Sequence, residues 1–218
     1  QIINDKEFAN TELRKLIPNK KIISCVAVGN EPLGKWYEGQ FTNFLVPAVE
    51  ILSFSLKNIL PNIDITVPFN FAIFDSTYPP SSSVVKPSLY NVVFDTINII
   101  NNHSTKPVIM VNIYPYLTIT QNIDIININF ALGYTSKYAL RDENYLYTSL
   151  ISMMYDATLI AIEKIGLNID VEIGEIGWPT DGGMYADISH HCQAMEQLHI
   201  LSSIGTPRYP GPITMYFF

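Results

Sequence analysis

Two apolar segments of this chain each end in a glutamate, and a proline follows each glutamate closely. The first segment runs from Ile22 to Glu31, and Pro32 comes directly after it. The second runs from Val171 to Glu175, with Pro179 shortly beyond. Alternating apolar residues predict a strand in each segment, and the proline ends it. A carboxylate at the carboxyl end of an apolar strand is where α/β barrels keep their chemistry.

Two such acids on two strands match the needs of glycoside hydrolysis. One acid protonates the leaving oxygen, and the other attacks the sugar or activates water. Glu31 and Glu175 lie far apart in the sequence, so only tertiary folding can bring them together. For either acid taken alone, the alternative is a strand that reaches solvent with a polar residue.

Five short motifs carry a family resemblance and extend over nearly the whole chain. In order they are Ala27–Glu31 (Ala-Val-Gly-Asn-Glu), Tyr78–Ser81 (Tyr-Pro-Pro-Ser), Val111–Tyr116, Glu175–Pro179 (Glu-Ile-Gly-Trp-Pro) and Gly205–Gly211. With these motifs the chain resembles the plant-type β-1,3-glucanases of glycoside hydrolase family 17.

The resemblance implies a retaining hydrolase that cleaves β-1,3-glucosidic bonds by double displacement. It implies that Glu31 is the general acid/base and that Glu175 is the nucleophile. The two carboxyl groups of such an enzyme are expected about 5–5.5 Å apart. Asn30 is expected to bond the 2-hydroxyl of the sugar. The partner would be a β-1,3-glucan polysaccharide or oligosaccharide, and no metal or organic cofactor is required.

Further residues are predicted to bind the substrate because aromatic rings stack on the flat apolar faces of sugar rings. Trp36 lies in the loop after the first strand, although an exposed aromatic pair with Tyr37 is the alternative. Tyr78 lies in a polar, proline-rich loop. Asn112 and Tyr114 are predicted to share one face of a strand with Tyr116, and packing is their alternative role. Trp178 follows Glu175 in the family motif and completes the set.

Strand and helix patterns alternate along the chain and predict an α/β fold with a parallel sheet. Strands are expected at 22–29, 62–69, 107–116, 171–175 and 213–218, and helices at 4–17, 41–60, 88–102, 146–165 and 187–203. The resemblance implies the (β/α)8 TIM barrel of the family, here an incomplete barrel covering roughly strands 4 to 8. Residues 1–218 would then be a single, partial catalytic domain that lacks the N-terminal third and the extreme C-terminus.

The composition restricts the partners and the compartment. The formal net charge is −7, so the chain has no basic surface for nucleic acid. The two cysteines, Cys25 and Cys192, form neither a disulfide framework nor a metal spacing and are expected to be buried free thiols. No apolar run is long enough to span a membrane. A signal peptide is not visible, but a glycosylation acceptor, Asn102-His103-Ser104, is expected in a loop and favours an extracellular or cell-wall protein.

Two other functions compete with hydrolysis. A non-catalytic glucan-binding remnant, or a truncated inactive relative, would keep the aromatic cleft but need not keep both acids. An intracellular barrel enzyme acting on a small metabolite would need a phosphate loop or a nucleophile elbow, and the sequence has neither motif. Transglucosylation uses the same two acids as hydrolysis, so the sequence leaves it open.

Overall fold

The computed structural model describes residues 7, 10–11, 14–15, 23–60, 62–133, 137 and 139–218. The chain divides into two compact units. Unit 1 comprises Gln1–Ile73, Val85–Met110 and Ile165–Val171. Unit 2 comprises Phe74–Val84, Val111–Lys164 and Glu172–Phe218. The assignment of 1–218 to a single catalytic domain stays a prediction.

Short parallel strands form the sheet portion of unit 1. Strand β1 (Cys25–Ala27) pairs in parallel with β2 (Asp64–Thr66), with Cys25 opposite Asp64. Strand β3 (Pro68–Asn70) follows after a break at Val67, because Pro68 has no N–H to continue the ladder. The single strand predicted at 62–69 is therefore two shorter strands.

Two helices cover these strands in unit 1. Helix α1 (Thr42–Ile59) buries Val49 and Leu56, and α2 (Tyr90–His103) buries Val93, Ile97 and Ile100. These residues recur at helical spacing, so each helix has one apolar stripe. Ile65 of β2, Phe69 of β3 and Val67 between the two strands are also fully buried. The helices predicted at 41–60 and 88–102 are thereby confirmed.

The sheet portion of unit 2 is built on the strand that carries Glu175. Strand β9 (Asp170–Ile176) pairs in parallel with β10 (Met215–Phe217). On its other side, the Ile113 N–H, just after β6 (Val108–Asn112), donates to the Glu175 carbonyl at 2.9 Å. Two small sheets complete the strands: β4 (Phe74–Asp75) with β5 (Val84–Val85), and the antiparallel hairpin of β7 (Leu140–Asp142) and β8 (Tyr145–Tyr147).

The described residues of unit 2 include four α-helices, and three of them have side-chain caps, among them the two longest. The four helices are α3 (Pro115–Gln121), α4 (Ile128–Ala131), α5 (Leu150–Glu163) and α6 (Ile188–Ile204). Ser149 caps α5, and Asp187 caps α6 by accepting from the His190 N–H. Helix α5 is buried almost all round, as expected for a helix without a polar face.

Two predicted elements have different boundaries in the structure. The strand predicted at 107–116 ends at Asn112, and Pro115 is the first residue of α3. Proline is favoured there because its φ suits a helix and its missing N–H is not needed. Asn112, Tyr114 and Tyr116 therefore do not alternate along one strand face. The helix predicted at 146–165 begins only at Leu150, because the residues before it form β8 and its turn.

The predictions for the cysteines, for Asn102 and for the N-terminal helix have different outcomes. Cys25 and Cys192 form no disulfide, as expected, but Cys25 is half-buried and Cys192 is exposed, so the expectation that they are buried was wrong. The exposed Asn102 lies in the last turn of α2 and not in a loop. The apolar side predicted for helix 4–17, with Phe8, Leu13, Leu16 and Ile17, lies outside the described residues.

Candidate active site

Glu31 lies in a tight turn that follows β1 in unit 1. Its backbone has φ 49°, and Gly29 has φ 71°, so both residues adopt the left-handed conformation. A non-glycine residue there is strained, and such strain clusters at functional sites. The Glu31 N–H donates to the Pro68 carbonyl at 2.8 Å, and the Gly34 N–H donates to the Glu31 carbonyl at 2.8 Å. These bonds fix the backbone that carries the carboxylate.

The Glu31 carboxylate has a partner that sequence reasoning missed. The Asn70 side-chain amide donates to Glu31 Oε1 at 2.9 Å. The Asn70 side-chain oxygen accepts from the Ala72 N–H at 2.8 Å, so the amide cannot rotate freely. Asn70 is the last residue of β3, and a polar residue at the end of an apolar strand was the available signal. Asn30, beside Glu31, is exposed.

In unit 2, Glu175 is the penultimate residue of β9 and contacts Tyr114. The Tyr114 hydroxyl donates to Glu175 Oε2 at 2.7 Å. Tyr114 is the N-terminal cap residue of α3, so the start of that helix sets the position of the phenol. The Phe218 ring lies edge-on to Tyr114, with ring centroids 6.5 Å apart. Tyr114 and Glu175 are thus two predicted site residues that the fold brings into contact.

Trp178 is held in the turn after β9 and is almost completely buried, with 5% exposure. Its indole N–H donates to the Tyr185 carbonyl at 2.7 Å, and its own carbonyl lies 2.5 Å from His191 Nδ1. The Tyr116 ring meets it edge-on, with centroids 5.4 Å apart. A ring with this burial is poorly placed to stack on a sugar. The structure therefore favours a supporting role for Trp178 over the predicted direct contact.

The remaining predicted contacts differ in their exposure. Asn112, the last residue of β6, is 1% exposed, so its side chain is part of the interior of the fold. Trp36 is 50% exposed and Tyr78 is 64% exposed, so both rings are open to a ligand. Trp36 belongs to unit 1, and Tyr78 belongs to unit 2.

Side chains of Asp142 and Lys164 hold the loop that carries Tyr78. Asp142, which is buried, accepts from the Ser81 N–H at 2.7 Å and from the Ser81 hydroxyl at 2.6 Å. The Lys164 ammonium donates to the carbonyls of Ser81 and Ser83, at 2.8 Å each. Charge-assisted hydrogen bonds of this length are strong, so the loop is rigid where the sequence suggests only a polar segment.

Two negative observations apply to the described residues. Within them, no cluster of three or more His, Cys, Asp or Glu side chains is arranged to hold a metal ion. None of the helices in that part of the chain combines the length and the apolar character needed to cross a membrane.

Comparison with known proteins identifies the family. Residues 2–218 match the sequence model of the glycosyl hydrolases family 17. A glucan endo-1,3-beta-glucosidase of Vitis vinifera is 27% identical over 196 residues, which are 88% of this chain and 56% of that protein. Glucan endo-1,3-beta-glucosidase 8 of Arabidopsis thaliana is 28% identical over 204 residues, which are 90% of this chain and 42% of that protein.

A solved structure extends the likeness to the fold. The β-1,3-glucanase and allergen of Cryptomeria japonica pollen superposes with a TM-score of 0.89 at 30% identity, over 100% of this chain and 69% of that one. The chain belongs to glycoside hydrolase family 17, and its α/β fold is part of the barrel of that family. It spans about half the length of the curated relatives it matches.

Proposed function

We propose that the protein is a retaining glycoside hydrolase that cleaves β-1,3-glucosidic bonds in β-glucans. Glu175 is the nucleophile and Glu31 is the general acid/base. The observation that carries this proposal is that each acid accepts a hydrogen bond from a side chain, Glu175 from Tyr114 and Glu31 from Asn70. Family membership and the names of the relatives, which are glucan endo-1,3-beta-glucosidases, support the reaction and its substrate.

The reaction proceeds in two displacements. The Glu175 carboxylate attacks the anomeric carbon, the glycosidic C–O bond breaks, and Glu31 gives its proton to the departing oxygen. A water molecule then attacks the glycosyl ester, Glu31 takes up the water's proton, and the Glu175 carboxylate is released. This chemistry requires the two carboxyl groups about 5–5.5 Å apart.

The exposed residues supply the sugar contacts in this proposal. Asn30, beside the acid/base, makes a hydrogen bond with the sugar's 2-hydroxyl. The exposed aromatic rings of Trp36 and Tyr78 stack on pyranose faces. Asn112 and Trp178 are buried, so they support the site from within. The exposed acceptor asparagine Asn102 is consistent with an extracellular or cell-wall location, which a mobility shift on enzymatic deglycosylation would test.

Release of reducing sugar from a soluble β-1,3-glucan tests the proposal. The expected result is hydrolysis by the unmodified chain and a loss of at least about 100-fold in Glu175→Gln and in Glu31→Gln. Glu172→Gln is the matched control, because Glu172 lies on the same strand and its Oε2 is 3.5 Å from the exposed Tyr216 hydroxyl. This control is expected to keep its activity.

Azide rescue separates the two roles. The substrate is an aryl β-laminaribioside. In Glu175→Gly, azide replaces the nucleophile and is expected to give an α-glycosyl azide. In Glu31→Gly, azide attacks the glycosyl-enzyme and is expected to give a β-glycosyl azide. A β-glycosyl azide from Glu175→Gly and an α-glycosyl azide from Glu31→Gly would mean that Glu31 is the nucleophile and Glu175 the acid/base.

The second candidate function is non-catalytic glucan binding. The observation that favours it is the exposure of the Trp36 and Tyr78 rings, 50% and 64%, since exposed aromatic rings bind a sugar face without any catalytic step. A folded chain that binds glucan but releases no reducing sugar would contradict the hydrolase proposal and support this alternative.

A further inference from the structure

Unit 2 contains a cavity of about 550 Å³ that is separate from the residues around Glu175 described above. Its lining comes from the Tyr78 loop, α3, α4, β7, the start of α5 and the segment before α4. The volume lies within the range of pockets that hold small organic ligands, about 300–1,000 Å³. Its chemistry therefore indicates which ligands it accepts.

The walls of this cavity are mostly apolar. Phe130, Leu150 and Met153 form its interior and are nearly inaccessible to solvent. Ile125 and Tyr78 also line it and are 83% and 64% exposed. An exposed aliphatic side chain and an exposed aromatic ring beside an apolar interior are features of a ligand pocket.

Three of the four Thr and Asn side chains in the lining make a hydrogen bond within their own segments, and Thr77 is the fourth. Thr118 donates to the Tyr114 carbonyl at 3.5 Å, and the Asn122 amide donates to the Thr118 carbonyl at 2.8 Å. The Asn127 side-chain oxygen accepts from the Asn129 N–H at 2.9 Å. A sugar here would bury several hydroxyls with few partners, which is unfavourable. An aromatic ring with few or no hydroxyl groups avoids this desolvation cost.

The cavity also favours an uncharged ligand. Among the described residues that line it, every side chain is apolar, aromatic, amide or hydroxyl, and none carries a formal charge. A charged ligand would lose hydration without gaining an ionic partner. The Asp142 and Lys164 contacts hold the Tyr78 loop beside β7, so this part of the wall is preformed.

We propose that this cavity is a binding site for a neutral aromatic ring, of the size of a phenol or a naphthyl group. The exposed Tyr78 ring and Ile125 flank the bound ring at the opening, and Phe130 and Met153 contact its inner edge. The site does not depend on the hydrolase activity proposed above, because its lining includes neither acid.

Titration with the uncharged fluorescent probe N-phenyl-1-naphthylamine tests this site on the folded chain. We expect saturable binding that Ile125→Asn weakens by about tenfold, because the substitution removes apolar contact area at the opening. Ile188→Asn is the matched control, since Ile188 is 70% exposed at the start of α6, outside the cavity lining, and this variant is expected to bind as the unmodified chain does. Ala139→Trp, which fills the cavity, is expected to abolish binding.

Several outcomes would overturn the proposal. One is the absence of saturable probe binding to the folded chain. Another is an equal loss of probe affinity in Ile125→Asn and in Ile188→Asn. The Tyr78 ring is shared with the proposed glucan contacts, so displacement of the probe by laminaritriose is informative in Tyr78→Ala. Displacement that persists in this variant would also overturn the proposal, because the rest of the cavity would then be part of the glucan site. Glu175→Gln is expected to bind the probe normally, so a failure of hydrolysis and a failure of this site remain distinguishable. If Ala139→Trp does not fold, Ile125→Asn alone decides.

Discussion

At the scale of single residues, the Tyr114 hydroxyl determines how Glu175 is presented. It donates to Glu175 Oε2 at 2.7 Å, a length typical of a hydrogen bond to a carboxylate. A nucleophilic oxygen must be aligned with the anomeric carbon, and small misplacements cost large factors in rate. The phenol is thus a positioning group for the proposed nucleophile.

Tyr114→Phe tests that positioning. We expect kcat for β-1,3-glucan hydrolysis to fall by about tenfold to 100-fold while KM changes little, because orientation is lost without loss of a sugar contact. Tyr90→Phe is the control, since Tyr90 lies on α2 in unit 1 and stacks on Phe94. Equal rates for Tyr114→Phe and the unmodified chain would mean that the hydrogen bond has no role in catalysis.

A second residue of interest is Asp156, a fully buried carboxylate on α5. Burial raises its pKa to about 6, and the nearby hydroxyls of Thr206 and Tyr147 and the charge of Arg208 only partly oppose this shift. The hydroxyls are close enough to affect the pKa, but neither Asp156 oxygen has a well-formed hydrogen bond among the described residues. The folded state therefore keeps this proton to a higher pH than the unfolded chain does.

The linkage of this shift to stability gives a pH prediction. Because the folded pKa of about 6 exceeds the ordinary value of 3.8, the stabilisation is fully present below pH 3.8 and is lost as the pH rises through 6. Relative to Asp156→Asn, the unmodified chain should lose about 3 kcal/mol of unfolding free energy between those limits. Denaturant unfolding of both proteins at pH 4 and pH 7 measures this difference. A constant difference would contradict the buried titration.

At the scale of elements, the turn after β9 illustrates how the fold supports the proposed nucleophile. Trp178 bonds Tyr185 through its indole N–H and His191 through its carbonyl, so the turn is tied to the segment before α6 and to α6 itself. The chain has only two tryptophans, and the other, Trp36, is half-exposed in unit 1. The two tryptophans allow the effect of substitution to be compared between a buried ring and an exposed ring.

Trp178→Phe and Trp36→Phe are expected to differ in their effect on stability. Trp178→Phe should lower the free energy of unfolding by about 1–3 kcal/mol, because it removes a buried hydrogen bond and leaves a cavity. Trp36→Phe should stay within about 0.5 kcal/mol of the unmodified chain. Trp36→Ala should instead weaken glucan binding. Denaturant unfolding and glucan titration measure the two effects, and a destabilised Trp36→Phe would contradict the assignment.

The sequence predicted those features that depend on local pattern. Glu31 and Glu175 could be found because an acid that ends an apolar run is visible within ten residues, and α1 and α2 could be found by their apolar stripes. Tyr114 contacts Glu175 from the start of a helix and not from the predicted strand, because Pro115 begins α3. Asn70 was missed because its contact with Glu31 joins residues 39 positions apart, which a local pattern does not encode. Tyr185 and His191 contact Trp178 across 7 and 13 positions, but through irregular chain before α6 that has no periodic pattern.

At the scale of the whole molecule, the net charge of −7 influences which polysaccharides can approach. A negative surface repels polyanions at low ionic strength, and salt screens that repulsion with a Debye length of about 10 Å at 0.1 M. A neutral β-glucan carries no charge, so its binding should not depend on salt. Charge thus distinguishes substrates at long range, before any contact with the proposed site.

This difference predicts a salt dependence for matched substrates. KM for unsubstituted β-1,3-glucan should change by less than about twofold between 20 mM and 500 mM NaCl, because no ionic contact is made. KM for a carboxymethylated β-1,3-glucan of the same length should be higher at 20 mM and fall by several-fold as salt is added. Glucan binding by the Glu175→Gln chain gives the same comparison without turnover. A salt-sensitive affinity for the neutral polymer would contradict recognition by aromatic rings and uncharged hydrogen bonds, since only a charged contact responds to screening.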